Sequence, residues 1–255
     1  MLTNIIEIVI LSLVQGVSEF IPISSSAHLI VVSTLYEFKS SSLLIDVSLH
    51  FGSLLAIIFF FRKELIDLKN NQKLLSLMVF GSIPLIFFGY ILYKTELIYI
   101  LRDIRVIAWT TLIFGILLYF ADKCRFDKNI SSNLNLKTIL YIGLFQILAL
   151  IPGVSRAGIT ITAARLFNFN RFDSSKISFL LAIPALAGAS VLGLQDIINQ
   201  SFEFSYLILI AITLSFLSSY FTVKFFLRYI NRFSLSIFVF YRIVVAIILF
   251  VIIYS

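Results

Sequence analysis

The stretch "LVQGVSEFIPISSSAHLI", Leu13 to Ile30, begins and ends like a membrane helix, but its middle is polar. The polar residues and the helix breaker are Gln15, Glu19, Pro22, Ser24, Ser25, Ser26 and His28. A proline removes a backbone donor, and unsatisfied backbone groups are tolerated at membrane depth only inside protein or beside a wet cavity. The stretch therefore predicts a broken, re-entrant element instead of a plain spanning helix.

The rest of the chain has the composition of an integral membrane protein. Of its 255 residues, 60% are hydrophobic and only 13% are charged, whereas a soluble domain of this length needs more polar surface. The apolar segments are long enough for helices. We predict no removable signal peptide, no internal disulfide for the lone Cys124, and no nucleic-acid partner. We attribute the net charge of +7 to basic loops on the inner side of a membrane.

Polar runs divide the chain into eight apolar elements. Six resemble full spans, at about 42–61, 73–94, 104–121, 174–194, 204–227 and 234–254. The other two, at 4–36 and 138–167, are interrupted by proline and polar residues. They resemble each other, because "FIPISSSAHLI" (Phe20 to Ile30) aligns with "LIPGVSRAGIT" (Leu150 to Thr160), and "LLAI" recurs in the span that follows each. We predict a single membrane domain, 1–255, built of two pseudo-repeats, 1–121 and 137–255.

Counting crossings predicts the topology. If each broken element enters and leaves on one side, each half crosses three times, so the second half is inverted. The predicted fold is an all-α polytopic membrane protein with six transmembrane helices and two re-entrant broken helices in an inverted repeat. With both termini outside, fourteen lysines and arginines fall in inner segments and four in outer segments, which supports this orientation.

The first broken element combines acid, hydroxyl and imidazole groups. Gln15 and Glu19 lie one helical turn apart and so face the same way. The serines Ser24 to Ser26 can cap a new helix, whose free N–H groups form an anion site. Ser25 and His28 lie on one face of that helix, where an imidazole could act on the hydroxyl or on a leaving oxygen.

The second element repeats this design. Pro152 and Gly153 make the turn, Ser155 caps the helix, and Arg156 offers a planar fork that suits phosphate. Two helix starts, a guanidinium, hydroxyls and a glutamate predict a phosphate site beside a metal ligand. Ionisable residues inside a membrane are functional by default. Asp46 with His50 is a weaker candidate pair, and for Arg242 we predict structural pairing with a partner that the sequence does not name.

These residues resemble a known family, the undecaprenyl-diphosphate phosphatases of bacteria (the bacitracin-resistance type). The first motif reads "QGVSEFIPISSSAH" (Gln15 to His28) and the second "PGVSRAGIT" (Pro152 to Thr160). The resemblance continues through "NRFDSSKISFLLAIPA" and the terminal "FVFYRIVVA", so it covers nearly the whole chain. Ala27 replaces a glycine common in the family and Ala157 a serine, so no ligand role transfers to Ala157.

The resemblance implies hydrolysis of a polyprenyl diphosphate to the monophosphate and inorganic phosphate in the bacterial plasma membrane. This reaction recycles the lipid carrier for cell-wall synthesis at the outer face and confers bacitracin resistance. Catalysis would fall to Glu19, Ser25, His28 and Arg156, and Glu19 with Gln15 would hold Mg²⁺ or Ca²⁺. The substrate-binding candidates are Ser24, Ser26, Gly153, Ser155 and Thr160.

Several alternatives stay open at this point. Ser25 is the candidate nucleophile with His28 as general acid and base, but His28 could itself be the nucleophile, or Glu19 could activate water. An inverted repeat is also a transporter design, so the same site could belong to a lipid-phosphate flippase or anion transporter. The predicted partners are the polyprenyl diphosphate and membrane lipids, and a homodimer is left open.

Overall fold

A computed structural model describes residues 2–36, 38, 43–95, 101–124, 126–199 and 206–254. In these ranges the chain is helical, and its only paired extended backbone is an isolated bridge between Lys128 and Phe169. The α-helices are α1 (Leu2–Ser18), α2 (Ser25–Leu35), α3 (Leu43–Phe60), α4 (Arg62–Ile66), α5 (Leu68–Lys94), α6 (Ile104–Lys123), α7 (Ile130–Asn133), α8 (Leu136–Ile147), α9 (Arg156–Leu166), α10 (Arg171–Asn199), α11 (Tyr206–Ile230) and α12 (Ser236–Tyr254).

Five helices in the described ranges are long and apolar enough to cross a membrane, so the chain is a multi-pass membrane protein. They are Asn70–Lys94, Ile104–Lys123, Arg171–Gly193, Tyr206–Ile230 and Ser236–Tyr254. Each falls on a predicted span. The remaining predicted span, 42–61, forms α3, whose apolar part Leu44–Phe60 is shorter than the other five.

Helix bounds depart from the prediction mainly where polar residues extend or cap a helix. Helix α5 begins at Leu68, before the predicted 73, because the Asp67 side chain accepts a hydrogen bond from the Asn70 backbone N–H. Polar first turns like this one have no apolar periodicity, so hydropathy misses them. The short helices α4 and α7 lie in predicted loops for the same reason.

The predicted breaks are confirmed in both interrupted elements. Helix α1 ends at Ser18 and α2 begins at Ser25, while α8 ends at Ile147 and, after one 3₁₀ turn, α9 begins at Arg156. The residues before the new helices, Ser24 and Ser155, have φ of 77° and 70°. The sequence alignment pairs Ser155 with Ser25. In the structure, however, Ser155 directly precedes α9 and Ser24 directly precedes α2, so the structural equivalent of Ser155 is Ser24 and the alignment is off by one residue.

Packing pairs helices of one half with helices of the other. Helices α1 and α3 pack on α11, and α8 and α10 pack on α5. Helix α6 packs on α12, and α3 on α10. Gly16 lies against Ser218 of α11, and Gly143 lies against the Gly81 backbone of α5, so closely that a Cβ atom at either glycine would overlap. These small residues let the helices approach, as is typical of membrane helix pairs.

An acidic residue joins three helices and the turn before α12 at one end of the bundle. Asp122, near the end of α6, accepts hydrogen bonds of 2.7 and 3.0 Å from Arg171 of α10. It also accepts from the Leu235 backbone N–H, 3.1 Å away, and lies 3.7 Å from Arg165 Nε of α9. This end is therefore fixed independently of the two breaks.

Candidate active site

Glu19, in the turn after α1, is the centre of the candidate site. Its Oε2 accepts hydrogen bonds from Gln15 Nε2 at 2.9 Å and from Ser25 Oγ at 2.6 Å. Its Oε1 accepts a hydrogen bond of 2.9 Å from Arg156 Nη2. Only 6% of Glu19 is exposed, so these charge-assisted bonds form away from bulk water. The two broken elements thus meet at one carboxylate.

Arg156 is held from a second side by α10. Its Nη1 donates to the backbone oxygen of Ser178 at 3.2 Å. Thr160, one turn further along α9, bonds the Ser178 hydroxyl at 2.7 Å. Sequence reasoning missed Ser178, since a serine inside an apolar span is most often a local structural residue. The only signal was its place in the "NRFDSSKISFLLAIPA" segment.

The two helix starts differ in their caps. Ser155 Oγ accepts a hydrogen bond from the Gly158 backbone N–H at 3.1 Å, as predicted. Ser24 makes no such cap, and its hydroxyl lies 3.4 Å from that of Ser26. The prediction that the serine triplet caps α2 is wrong in this respect, because Ser25 Oγ points to Glu19 instead. The first turn of α2 therefore begins without a side-chain acceptor, which suits an anion.

His28 does not contact Ser25 through either ring nitrogen. Its Nδ1 lies 2.6 Å from the backbone oxygen of Ser24, and its Nε2 lies 2.8 Å from the hydroxyl of Tyr241. A carbonyl only accepts, so Nδ1 carries a proton, and in the neutral ring Nε2 accepts from Tyr241. The predicted imidazole–hydroxyl contact is therefore not made, because the ring is held toward α12.

His50 lies at the site although its pair with Asp46 was a weak candidate. Its Nε2 is 3.9 Å from Glu19 Oε2. Its Nδ1 lies 2.8 Å from the backbone oxygen of Asp46, which fixes the ring on α3. The second imidazole of this chain thus faces the carboxylate that Ser25 also contacts.

The donor chemistry around Glu19 is compatible with a hard cation. Within the described ranges no group of three or more His, Cys, Asp or Glu side chains could hold a metal by itself. However, Gln15 Oε1 is buried and has no hydrogen-bond partner among the described residues, and it belongs to the amide whose Nε2 donates to Glu19. Mg²⁺ in particular is commonly held by one or two carboxylates and the phosphate oxygens of a substrate.

An apolar groove of about 190 Å³ has His28 in its lining. It lies between α2, α6 and α12, and His28 and Tyr241 form its polar end. The remaining lining is almost entirely aliphatic and includes Val31, Val245 and Leu249. A groove of this kind accepts a hydrocarbon chain beside a polar headgroup.

Comparison with known proteins identifies the family of this chain. The family described as "Bacitracin resistance protein BacA" matches residues 8–248. An undecaprenyl-diphosphatase of Pelagibacter ubique (strain HTCC1062) is 73% identical over 100% of both chains. Enzymes of that name from Alteromonas mediterranea and Elusimicrobium minutum are 38% identical, over 94% of this chain and 95% of theirs, and 39% identical, over 96% of each. The chain belongs to the bacitracin resistance protein BacA family.

Proposed function

We propose that this protein hydrolyses undecaprenyl diphosphate, or a similar polyprenyl diphosphate, to the monophosphate and inorganic phosphate. The observation that supports this most directly is the contact of Ser25 and Arg156 with the two oxygens of Glu19. This places a hydroxyl, a proton acceptor and a guanidinium together at the breaks of two helices. The activity recycles the lipid carrier of cell-wall synthesis and accounts for bacitracin resistance.

Ser25 is the nucleophile in this proposal, and Glu19 is its base. As Ser25 Oγ forms a bond to the terminal phosphorus, Glu19 Oε2 accepts the hydroxyl proton. The anhydride P–O bond breaks, and the polyprenyl monophosphate leaves with the proton from Glu19. In the second step Glu19 accepts a proton from water, whose oxygen attacks the phosphoserine. The P–Oγ bond breaks, phosphate leaves, and the proton returns to Ser25.

The residues around Ser25 and Glu19 bind the phosphate or hold the site in place. Arg156 stabilises charge on the transferred phosphoryl group, and the uncapped start of α2, with Ser24 and Ser26, binds its oxygens. Ser155 and Thr160 act through position, since one caps α9 and the other bonds Ser178, which holds Arg156. Gly153 forms the turn that places them.

His28 fits a substrate-binding role better than that of a nucleophile. Both of its nitrogens are engaged, one by Ser24 and the other by Tyr241. In the neutral ring the nucleophilic lone pair of Nε2 therefore accepts a hydrogen bond. In the alternative mechanism, Glu19 activates water for direct attack and no phosphoserine forms. An experiment that traps the phosphoserine distinguishes this mechanism from our proposal.

A divalent cation fits the same donors. Glu19 and the amide oxygen of Gln15 would hold Mg²⁺ or Ca²⁺, which would neutralise charge on the diphosphate oxygens. The hydrocarbon chain of the substrate lies in the groove between α2, α6 and α12, so the headgroup reaches Ser25 while the tail stays among aliphatic side chains.

We further propose the architecture of six transmembrane and two re-entrant helices in the inner membrane, with both termini outside. In the two halves, 1–121 and 137–255, α1 corresponds to α8 and α5 corresponds to α11. The contact between α1 and α11 therefore has its equivalent in the contact between α8 and α5, and both pairs pack closely. The distribution of basic residues supports the orientation. The site then opens to the outer face. A homodimer stays a prediction that the sequence leaves open.

A lipid-phosphate flippase or anion transporter is the alternative. The relatives are named as diphosphatases, which favours hydrolysis. The Ser25–Glu19 hydrogen bond favours it too, because a binding site needs no proton acceptor beside a hydroxyl.

The test is phosphate release from a polyprenyl diphosphate by purified protein in detergent. The reaction is run with Mg²⁺, with Ca²⁺ and with a chelator, beside Ser25→Ala, His28→Ala and Arg156→Ala at equal folded yield. We expect release by the wild type and its collapse in Ser25→Ala and Arg156→Ala. Lipid binding without release under any of these conditions would instead support the flippase.

A further inference from the structure

Arg242, in α12, is fully buried, and all its hydrogen bonds to the described residues go to backbone carbonyls. Its Nε donates to Thr111 at 3.1 Å, Nη1 to Pro22 at 3.3 Å and Val154 at 3.1 Å, and Nη2 to Gly153 at 2.9 Å and Thr110 at 3.4 Å. The structural role that the sequence predicts for Arg242 therefore agrees with its hydrogen bonds. Its partners, however, are five peptide oxygens from three segments of the chain.

These carbonyls belong to the two breaks and to the helix beside them. Pro22 lies in the turn before α2, Gly153 and Val154 lie in the turn before α9, and the two threonines belong to α6. One guanidinium thus joins the turn that presents Ser25 to the turn that presents Arg156. A planar fork with five N–H donors can do this, whereas an ammonium cannot.

Two glycines leave room for this guanidinium. A Cβ atom at Gly158 would lie 2.9 Å from Arg242 Nη1, and one at Gly115 would lie 3.2 Å from Arg242 Cβ. Larger residues at either position would displace the arginine from the turns.

Within the described part of the chain, no carboxylate lies at hydrogen-bonding distance from Arg242. Arg156 contacts Glu19, and Arg165 and Arg171 contact Asp122, whereas the described partners of Arg242 are all neutral. A buried charge in the membrane interior is costly, and the two helix starts above it add further positive potential. An anion bound at the breaks would lower the free-energy cost of this buried positive charge, and an anion of higher charge would lower it further.

We propose that Arg242 is a positioning residue that locks the two breaks together and, through its unbalanced charge, selects a diphosphate over a monophosphate. The choice of headgroup rests on the proposed function, while the locking rests on the hydrogen bonds alone. The selection lets the monophosphate product leave the site that bound the diphosphate.

Arg165 supplies a matched control. It is also buried and also donates to backbone carbonyls, those of Phe169, Asp122 and Cys124, but at the end of the bundle fixed by Asp122. Arg242→Lys and Arg165→Lys therefore remove the same fork from similarly buried positions. Arg242→Gln additionally removes the charge.

The experiment measures kcat and KM, and also the rise in melting temperature caused by methylenediphosphonate or by inorganic phosphate. We expect both lysine variants to lose stability, but only Arg242→Lys to lose at least about tenfold in kcat, because small misplacements at a reacting centre are expensive. Arg242→Gln should also lose the preference for the diphosphonate over phosphate. Equal kcat in the two lysine variants, or an unchanged preference in Arg242→Gln, would overturn the proposal.

A second variant covers a failure of these proteins to fold. Gly115→Ala pushes on the Arg242 side chain without removing it, since the three atoms nearest to a Cβ there all belong to Arg242, at 3.2 to 3.6 Å. Gly188→Ala is its control, since a Cβ there meets only Ile86 at 3.8 Å. A loss of kcat and of diphosphonate preference confined to Gly115→Ala supports the proposal, and equal behaviour contradicts it. If the wild type releases no phosphate, the proposed function is wrong. The melting-temperature measurements still show whether Arg242 favours binding of the diphosphonate over phosphate.

Discussion

Ser25 donates a hydrogen bond of 2.6 Å to Oε2 of Glu19, across the break between α1 and α2. The contact spans six residues of sequence, yet it depends on a turn that reverses the chain. A hydroxyl beside a carboxylate that cannot reach bulk water is poised to lose its proton.

Ser25→Ala should lower kcat by at least about 100-fold, because it removes the proposed nucleophile while leaving Glu19 bonded to Arg156. Ser33→Ala, on the same helix α2, is the control, since Ser33 bonds only the backbone of its own helix, at Leu29 and Ile30. The measurement is phosphate release, followed by quenching with a denaturant at neutral pH, which preserves both phosphoserine and phosphohistidine, and mass spectrometry of the trapped enzyme. A phosphoryl group on His28, or full activity of Ser25→Ala, would contradict the assignment.

Much of this site follows from sequence because its signals are local. Pro22 and Pro152 fix the breaks, and the motif spacing places Glu19 beside Gln15 and Arg156 at a helix start. The contact between Glu19 and Arg156 follows from the repeat, which predicts that the two breaks converge. These expectations need only helix geometry and the high cost of polar groups in lipid.

The remaining contacts depend on how distant helices are rotated, which periodicity does not determine. His28 bonds Tyr241, which is 213 positions away in the chain. The hydropathy of α12 identifies a span, but nearly every face of that span is apolar, so the inward face is not marked. His50 and Ser178 escaped a firm assignment for the same reason, as each lies on a long apolar helix.

Glu19→Gln should lower kcat by about 10²- to 10⁴-fold, since the amide cannot accept the Ser25 proton and leaves Arg156 without a counter-charge. Glu64→Gln is a matched control. Glu64 forms an ion pair with Lys176 at 3.3 Å, but both side chains are partly exposed, and such pairs contribute about 0–1 kcal/mol. Steady-state rates at equal folded yield compare the two variants. Comparable losses in both would mean that Glu19 acts only through stability.

Gly153→Ala should destabilise the second turn and reduce activity. Gly153 has φ of 90°, and a Cβ atom there would overlap Thr110 and approach the backbone oxygen of Ile107. The positive φ alone costs an alanine about 1–2 kcal/mol. Gly188→Ala, where a Cβ has ordinary contacts, should change neither property. Thermal unfolding and phosphate release measure both effects, and a Gly153→Ala protein as stable as the wild type would contradict this view of the turn.

Val31→Phe should narrow the groove between α2, α6 and α12 and so weaken binding of the lipid tail. We expect KM for a long polyprenyl diphosphate to rise about tenfold, while KM for a short, soluble prenyl diphosphate stays the same. Val79→Phe is the control because Val79 is 58% exposed on α5, outside the groove. Equal KM changes for both chain lengths would show that the substitution disturbs the headgroup site instead.

Gln15→Leu should weaken cation binding, because it removes a buried, unpartnered amide oxygen from the side chain that contacts Glu19. Gln146→Leu is the control, since Gln146 is the other fully buried glutamine of the described chain, and neither of its amide atoms has a partner there. Removing an unsatisfied buried amide costs little, so Gln146→Leu should keep or raise the melting temperature.

The two glutamine variants are compared by the rise in melting temperature on adding Mg²⁺ or Ca²⁺ together with methylenediphosphonate, and by the cation concentration that restores half of the activity after chelation. We expect Gln15→Leu to need several-fold more cation and Gln146→Leu to behave like the wild type, because of the two amides the one of Gln15 contacts Glu19. Activity that survives complete chelation would remove the cation from the mechanism and leave Arg156 as the principal charge on the phosphoryl group.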